Sequence, residues 1–398
     1  MLVWFMLFVY ILLGVYILWR LIHWLKKVIP FFKHKRMQAV IITIYICFAM
    51  TLILGGLLPS SGFQRLMMKI GNVWLGTFIY IFMDILIVDI IALVLKLINK
   101  KKELPMMKRL WRYYVTGIVV LASSVAFSVV GLVHAKHTKL QTYDITIDKK
   151  VQGIDSMNIV LVADLHMGYN TRYKDMEKMV SLINESSPDL VVIAGDIFDN
   201  NYEAIEHPER LTELFRTIES KYGVYAVYGN HDVAETLIGG FSISSKRYAF
   251  RDERMNQFLA DSNITVLEDE VVNIAGEDIY LVGRIDGEKA GDGTSNRKTL
   301  QELTQNLDKS KVIIDMEHEP MDLKGVSECG TDLMLSGHTH AGQFFPLTVV
   351  QPFAWENYWG IKKVGSMYSV VTSGVGVYGP DMRVMTDSEV VSITVHFQ

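Results

Sequence analysis

The sequence predicts an α-helical membrane region of four transmembrane helices followed by an α/β domain. Three observations predict it. Hydrophobic residues make up 50% of the 398 and the mean hydropathy is +0.23, above the apolar share of an ordinary soluble chain. Four long apolar stretches crowd the first third. From about residue 141 the texture changes to short β-rich runs alternating with amphipathic stretches, the pattern of a layered α/β domain.

The apolar stretches run near residues 2 to 22, 38 to 58, 73 to 98 and 112 to 133. Each is long enough for a hydrocarbon core of about 30 Å, which takes roughly 20 helical residues. The first lacks a basic n-region and a small-residue cleavage site, and three more spans follow it, so it reads as a retained helix rather than a secretory signal. Arg20, Lys26, Lys27, Lys33, Lys35 and Arg36 surround the first loop. Lys96, Lys100, Lys101, Lys102, Lys108, Arg109 and Arg112 surround the third, whereas the second carries only Arg65 and Lys69. Cytoplasmic loops accumulate Lys and Arg, which places the first and third loops inside and both termini, with the large C-terminal domain, outside. Asp84 and Asp89 fall within the third span, where an ionisable group is costly. With no basic partner deep in any span, they are expected to hydrogen-bond to neighbouring helices or to lie near an interface.

Composition narrows the chemistry. A net charge of -4 and the lack of a basic patch with interleaved aromatics argue against a nucleic-acid partner. Cys47 lies in an apolar run and Cys329 far away, so neither a disulfide nor a thiolate metal site is expected. Any metal must be held by His, Asp, Glu or Asn.

Residues 1–135 are read as the membrane anchor, 136–154 as a linker and first strand, and 155–398 as the α/β domain. Strands are predicted at Asn158–Ala163, Leu190–Ala194, Val224–Tyr228, Ile279–Val282, Val312–Asp315 and Asp332–Leu335, with helices near 173–186, 203–220 and 297–307. Tyr368–Val377 and Glu389–Phe397 are expected to close one sheet.

The polar residues fall at the strand ends. Asp164-Leu165-His166 follows the first strand, Gly195-Asp196 with Asp199 the second, and Gly229-Asn230-His231-Asp232 the third. His318 and Pro320 follow the strand at 312–315, and Ser336-Gly337-His338-Thr339-His340 follows the last. Ligands of an open α/β sheet collect outside the carboxyl ends of its strands. One Asp-x-His or His-x-His is weak; five such groups, three with Gly where the backbone turns tightly, are hard to explain by stability alone.

The series Asp164-x-His166, Gly195-Asp196-x-x-Asp199, Gly229-Asn230-His231-Asp232, His318-x-Pro320 and Gly337-His338-x-His340-Ala-Gly-Gln343 resembles the calcineurin-like metallophosphoesterase superfamily over residues 155–398. Ser366–Arg383, with Gly374, Gly376 and Arg383, resembles more loosely the C-terminal part of its membrane-associated bacterial branch, which carries N-terminal transmembrane helices. The resemblance implies a four-layer αββα sandwich and a metal-dependent phosphoric ester hydrolase. One metal would be held by Asp164, His166, Asp196 and His340, the second by Asp196, Asn230, His318 and His338. Two neighbouring cations need a shared carboxylate to offset their repulsion, and together they clamp the attacking and leaving oxygens at phosphorus and acidify bound water to hydroxide. A mixed imidazole and oxygen set suits Mn, Fe or Zn better than Ca or Mg. By resemblance His231 is not a ligand but stabilises the phosphoryl charge or protonates the leaving oxygen, with Asp199 orienting it. Asp232 is either an outer-layer partner or a helix N-cap, and the cap is favoured.

Gly283-Arg284-Ile285-Asp286-Gly287 stands where the branch has a Gly-x-Asp-Asp run, so one acidic residue is missing. Arg284 either contacts a substrate phosphate or pairs with a carboxylate; with Arg383 it is a candidate substrate contact. The insert Phe241–Glu253 is expected to form a lid or substrate rim. Trp355, Tyr358 and Trp359 are expected at the bilayer interface, or else in the core. The function so read is cleavage of a phosphomonoester or phosphodiester of a lipid or lipid-linked headgroup at the membrane surface. Its alternatives are an extracytoplasmic nucleotide or nucleotide-sugar phosphodiesterase and a non-catalytic metal and phosphate sensor; a transporter is poorly supported.

Overall fold

A computed structural model of the chain describes residues 2–98, 106–238, 241–242, 249–294 and 296–398. It forms two compact units: Met1–Leu132 with Leu237–Ile243 and Gly379–Met382, and the remainder, Val133–Thr236, Ser244–Tyr378 and Arg383–Gln398.

The first unit is built on α1 (Leu2–Val28), α2 (Lys35–Leu57), α3 (Gly62–Ile98) and α4 (Met106–His134). All four are long and apolar enough to cross a membrane. Helix α3 starts well before the predicted span and runs 37 residues, because Gly62–Asn72 holds no proline to stop it. Small residues let α2 and α3 approach closely. A Cβ on Gly55 would meet the Met68 backbone at 2.8 Å, and one on Gly71 the Leu52 backbone at 2.8 Å. Met382 presses on Gly76 in the same way, at 1.9 Å from a notional Cβ, and the Leu237 carbonyl on Gly56 at 2.2 Å.

The intramembrane carboxylates have partners. Asp84 accepts from Ser123 Oγ at 2.7 Å and Ser124 Oγ at 2.8 Å, the expected helix-to-helix hydrogen bonding. Arg20, near the end of the first predicted span, pairs with Asp89, which also accepts from the Tyr16 hydroxyl. Lys100, Lys101 and Lys102 lie outside the described residues.

The second unit holds two six-stranded sheets. With β1 (Thr138–Ile147), β2 (Ser156–Val162), β3 (Leu190–Ala194), β4 (Val224–Val227), β7 (Ile264–Val266) and β14 (Ser388–Phe397), the first has the order β1-β14-β2-β3-β4-β7. The second contains β8 (Glu270–Ile274), β9 (Ile279–Gly283), β10 (Val312–Met316), β11 (Leu333–Ser336), β12 (Gly360–Val364) and β13 (Met367–Val371) in the order β12-β13-β11-β10-β9-β8. The short strands β5 (Leu237–Ile238) and β6 (Phe241–Ser242) pair with each other in the first unit.

Alternation along each strand feeds different layers. Leu190, Val192 and Ala194 of β3 join Leu281, Ile314, Leu333 and Leu335 in a core between the sheets. Val191 and Ile193 face outward to Met176, Met179 and Ile183 of α5 (Tyr173–Glu185), Leu211 and Phe215 of α6 (Pro208–Phe215) and Phe258 of α7 (Glu253–Asp261). On the other flank, Val282, Ile313 and Met334 pack on Leu300 of α8 (Leu300–Thr304) and Leu323 and Val326 of α9 (Leu323–Glu328). Strands buried on both faces read as continuous apolar runs, as these do. The result is the four-layer αββα sandwich.

The two C-terminal strands do not close one sheet as expected. β13 pairs with β11, whereas β14 pairs with β1 and β2. The Gly-rich segment between them carries the chain from one sheet to the other. The helix expected at 203–220 shortens to α6, because Pro208 suits only a first turn. Residues 243–248 of the expected lid lie outside the described residues.

Candidate metal centre

The loops after β2, β3, β4, β10 and β11 converge at one edge of the sandwich. A sharp turn is forced on each chain as it leaves its strand. Asp164, His166, Asp196, His338 and His340 all have left-handed backbones, with φ of 53°, 43°, 50°, 71° and 49°. Such a conformation is uncommon for non-glycine residues and costs about 1–3 kcal/mol each. Five strained residues at one edge mark a site whose side chains are held in place for use. Two glycines make room: Gly195 (φ 82°) lies under the His318 ring, and a Cβ on Gly229 would come within 2.3 Å of Asp196 Oδ1.

The seven predicted ligands meet in two groups. Asp164, His166 and His340 bring ligand atoms within 4.8 Å of one another, and so do Asp196, His318 and His338. In the first group His340 Nε2 is 3.5 Å from Asp164 Oδ1 and 3.1 Å from His166 Nε2. In the second, His338 Nδ1 is 3.1 Å from Asn230 Oδ1 and 3.2 Å from His318 Nε2. One oxygen joins them: Asp196 Oδ2 lies 3.2 Å from His318 Nε2 and 3.7 Å from His166 Nε2.

Hydrogen bonds behind these groups aim them. His318 Nδ1 donates to the Ala194 carbonyl at 2.8 Å, which turns Nε2 toward Asp196. The other Asp196 oxygen accepts from the His231 backbone N–H at 2.7 Å, and the Asp164 carboxylate from the His338 N–H at 3.0 Å. Burial pushes the His338 imidazole down to about 3 and the His231 imidazole down to about 4. Burial raises the Asp164 carboxyl to about 6, and for Asp196 it acts in the same direction, but the His318 charge overrides it and holds Asp196 well below the carboxylate range. His338 and His340, whose imidazoles burial holds neutral, face His318 and His166 nitrogen to nitrogen across about 3 Å around an ionised carboxylate, which is a donor set for cations. The residues present fit two divalent metal ions.

Several positions differ from expectation. Asp199 Oδ1 is 3.6 Å from His166 Nδ1 and 4.0 Å from His231 Nδ1, whereas His231 Nδ1 donates to Asn200 Oδ1. Asn200, which the sequence reading passed over, is therefore the nearer partner of His231 Nδ1. Its only signal is its place beside Asp199. Asp232 caps no helix: Oδ1 accepts from Phe198 N and Oδ2 from Gly229 N, both at 2.7 Å, pinning two site loops together. Tyr378 was also missed; its ring centroid lies 5.8 Å from that of His166 and 5.4 Å from those of His231 and His340.

Neither candidate substrate arginine reaches open space at the centre. Arg284 pairs with Glu317, which also binds Arg297. The cause is register: Met316 is level with Gly283, so the next residues on each strand, Glu317 and Arg284, point together to the outer face. Arg383 is 0% exposed and donates to the carbonyls of Ser373, Gly374 and Gly376 at 2.6, 3.1 and 2.8 Å. It braces the loop beside Asp164 from behind. Trp355 packs edge-on to His338 with centroids 5.0 Å apart, and Tyr358 is half-buried; Trp359 alone of the three is exposed.

Residues 157–342 match the family described as calcineurin-like phosphoesterase. A Danio rerio transmembrane protein with metallophosphoesterase domain is 28% identical over 291 residues, covering 69% of this chain and 62% of its own length. An uncharacterized metallophosphoesterase of Campylobacter jejuni is 26% identical over 308 residues, covering 76% of this chain and 75% of its own. The crystal structure of a dimetal phosphatase from Danio rerio aligns with a TM-score of 0.38 at 12% identity, covering 61% of this chain and 99% of that one.

Proposed function

We propose, from the match of residues 157–342 to the calcineurin-like phosphoesterase family, that the chain is a membrane-anchored, dinuclear-metal phosphoesterase acting on a lipid or lipid-linked phosphomonoester or phosphodiester outside the cytoplasm. The observation that carries the reading is the single Asp196 oxygen within reach of imidazoles from both ligand groups. Bound divalent cations, with Mn, Fe or Zn favoured by the donor set, would supply Lewis acidity and an acidified water.

The chain's own residues do the rest. Asp196 ties the two halves of the site together, its second oxygen fixed by the His231 N–H. His231, held at Nδ1 by Asn200, presents Nε2 as the atom that steadies phosphoryl charge or passes a proton to the leaving oxygen. Tyr378 and Trp355 wall the imidazoles and limit water. The four spans confine the domain to the plane where lipid phosphoesters concentrate, and the loop charges favour an extracytoplasmic domain.

The test compares purified wild type and His231→Ala, both supplied with Mn, on phospholipids, prenyl phosphates and soluble nucleotides. Faster turnover of a detergent-dispersed lipid phosphoester is expected. Preference for soluble nucleotide diesters would replace the lipid substrate, and no turnover above the variant would leave a metal and phosphate sensor.

A further inference from the structure

Helix α10 (Leu347–Ala354) has no buried residue and no charged one. Leu347 is 41% exposed, Val349 and Val350 54% and Phe353 88%. Among the described residues beyond α4, ten large hydrophobics are exposed, and six lie in this helix or just after it, at Trp359 and Ile361. The water-facing helices of the same unit are different: α5 carries Lys174, Glu177 and Lys178 on its outer face. Exposed apolar residues in such a concentration mark a surface that meets something other than water.

The chain itself supplies that something. Its four membrane-length helices expose Phe8, Ile90 and Val130 much as α10 exposes Val349 and Phe353, so a bilayer is always within reach of this unit. The order of residues after α10 fits the headgroup boundary: an uncharged helix, then exposed Glu356, whose charge Lys362 offsets at 3.9 Å, then exposed Trp359 and exposed Lys363. The helix is also fixed to the site. It follows the His338-x-His340 turn, its Gln351 side chain donates to the Thr339 carbonyl at 3.4 Å, and Trp355 at its end lies against His338.

We propose that α10 is an interfacial helix that inserts its Leu347, Val349, Val350 and Phe353 face into the acyl boundary of the bilayer that holds the chain's own spans, so that the metal centre takes its phosphoester from the membrane surface. The seat of α10 stands on its own observations, and the route of the substrate rests on the lipid-phosphoester reading above.

The experiment uses the full chain in phosphatidylcholine and phosphatidylglycerol vesicles, with Cys47→Ala and Cys329→Ala, and a spin label at Phe353→Cys or, as a water-facing control, at Lys324→Cys. Oxygen should collide readily with the label at 353, and a water-soluble nickel chelate should reach it roughly fivefold less often than the control, as for a residue below the headgroups. Equal nickel access at both positions would overturn the proposal, and so would shielding from both reagents, which would place a protein surface or a second copy over the helix. Activity is read separately. Phe353→Glu should lower the ratio of vesicle-lipid phosphoester turnover to p-nitrophenyl phosphate turnover by about tenfold, the scale of losing one buried aromatic anchor. An unchanged ratio overturns the substrate route. A chain inactive on every ester, with its label at 353 still in lipid, would remove the proposed function and keep the seat.

Discussion

Asp196 concentrates the chemistry of the site in one side chain. Because its Oδ2 serves both ligand groups, Asp196→Ala should lose both metals, whereas Asp164→Ala should lose one; metal content by plasma mass spectrometry on folded protein checks this. His231 lies one residue from the candidate ligand Asn230, and its Nδ1 is engaged by Asn200. We expect His231→Ala to lower kcat by about 10²–10⁴-fold with two metals retained, and Asn200→Ala to lower it less while moving the basic or acidic limb of the pH-rate profile. Asp315 offers a prediction away from the metals. It is wholly buried with neither oxygen hydrogen-bonded, and burial, then Glu317, pushes its carboxyl up to about 7. The folded pKa is above the unfolded one. Below the ordinary carboxyl range both states hold the proton; as pH rises from about 4 the unfolded chain ionises while folded Asp315 does not, so stability drains away until about pH 7. Asp315→Asn removes that drain, and its Tm advantage over wild type should grow by several degrees between pH 5 and pH 8.

At the scale of elements, the same register rule explains what was readable and what was not. His318 was legible because it follows a strand whose apolar run announces itself, and the strand's parity points it into the sandwich edge. The fate of Arg284 was not legible: whether it met substrate or Glu317 depends on which residue of β10 lies level with Gly283, and no local pattern records that pairing. The intramembrane pair behaves alike. Arg20, inside the first predicted span and counted among the basic residues around the first loop, meets Asp89 only through the packing of α1 against α3. A charge left alone between helices is costly, so Arg20→Leu should reduce the yield of folded protein several-fold, as should Asp89→Leu, while the double variant recovers most of it. Gel-filtration yield from matched membranes measures all three.

For the whole molecule, orientation is the open quantity that charge alone predicts. A reporter fused after Gln398 that is active only outside the cytoplasm should be active, and inserting four lysines into the loop between α2 and α3 should weaken it by competing with the basic first and third loops. Silence of the wild-type fusion would reverse the orientation and move the substrate pool to the cytoplasmic leaflet.

By itself the sequence determined the apolar helices, the buried strands and the seven candidate ligands, since each is written in local composition or at a strand end, where chain direction alone says which edge the residue reaches. Tertiary structure alone decided that Asn200 rather than Asp199 holds His231, that Tyr378 closes over the imidazoles, and that Arg383 is spent on backbone carbonyls. Those outcomes depend on contacts between segments distant in the chain, and a residue's neighbours in sequence carry no information about which distant side chain will fill the space beside it.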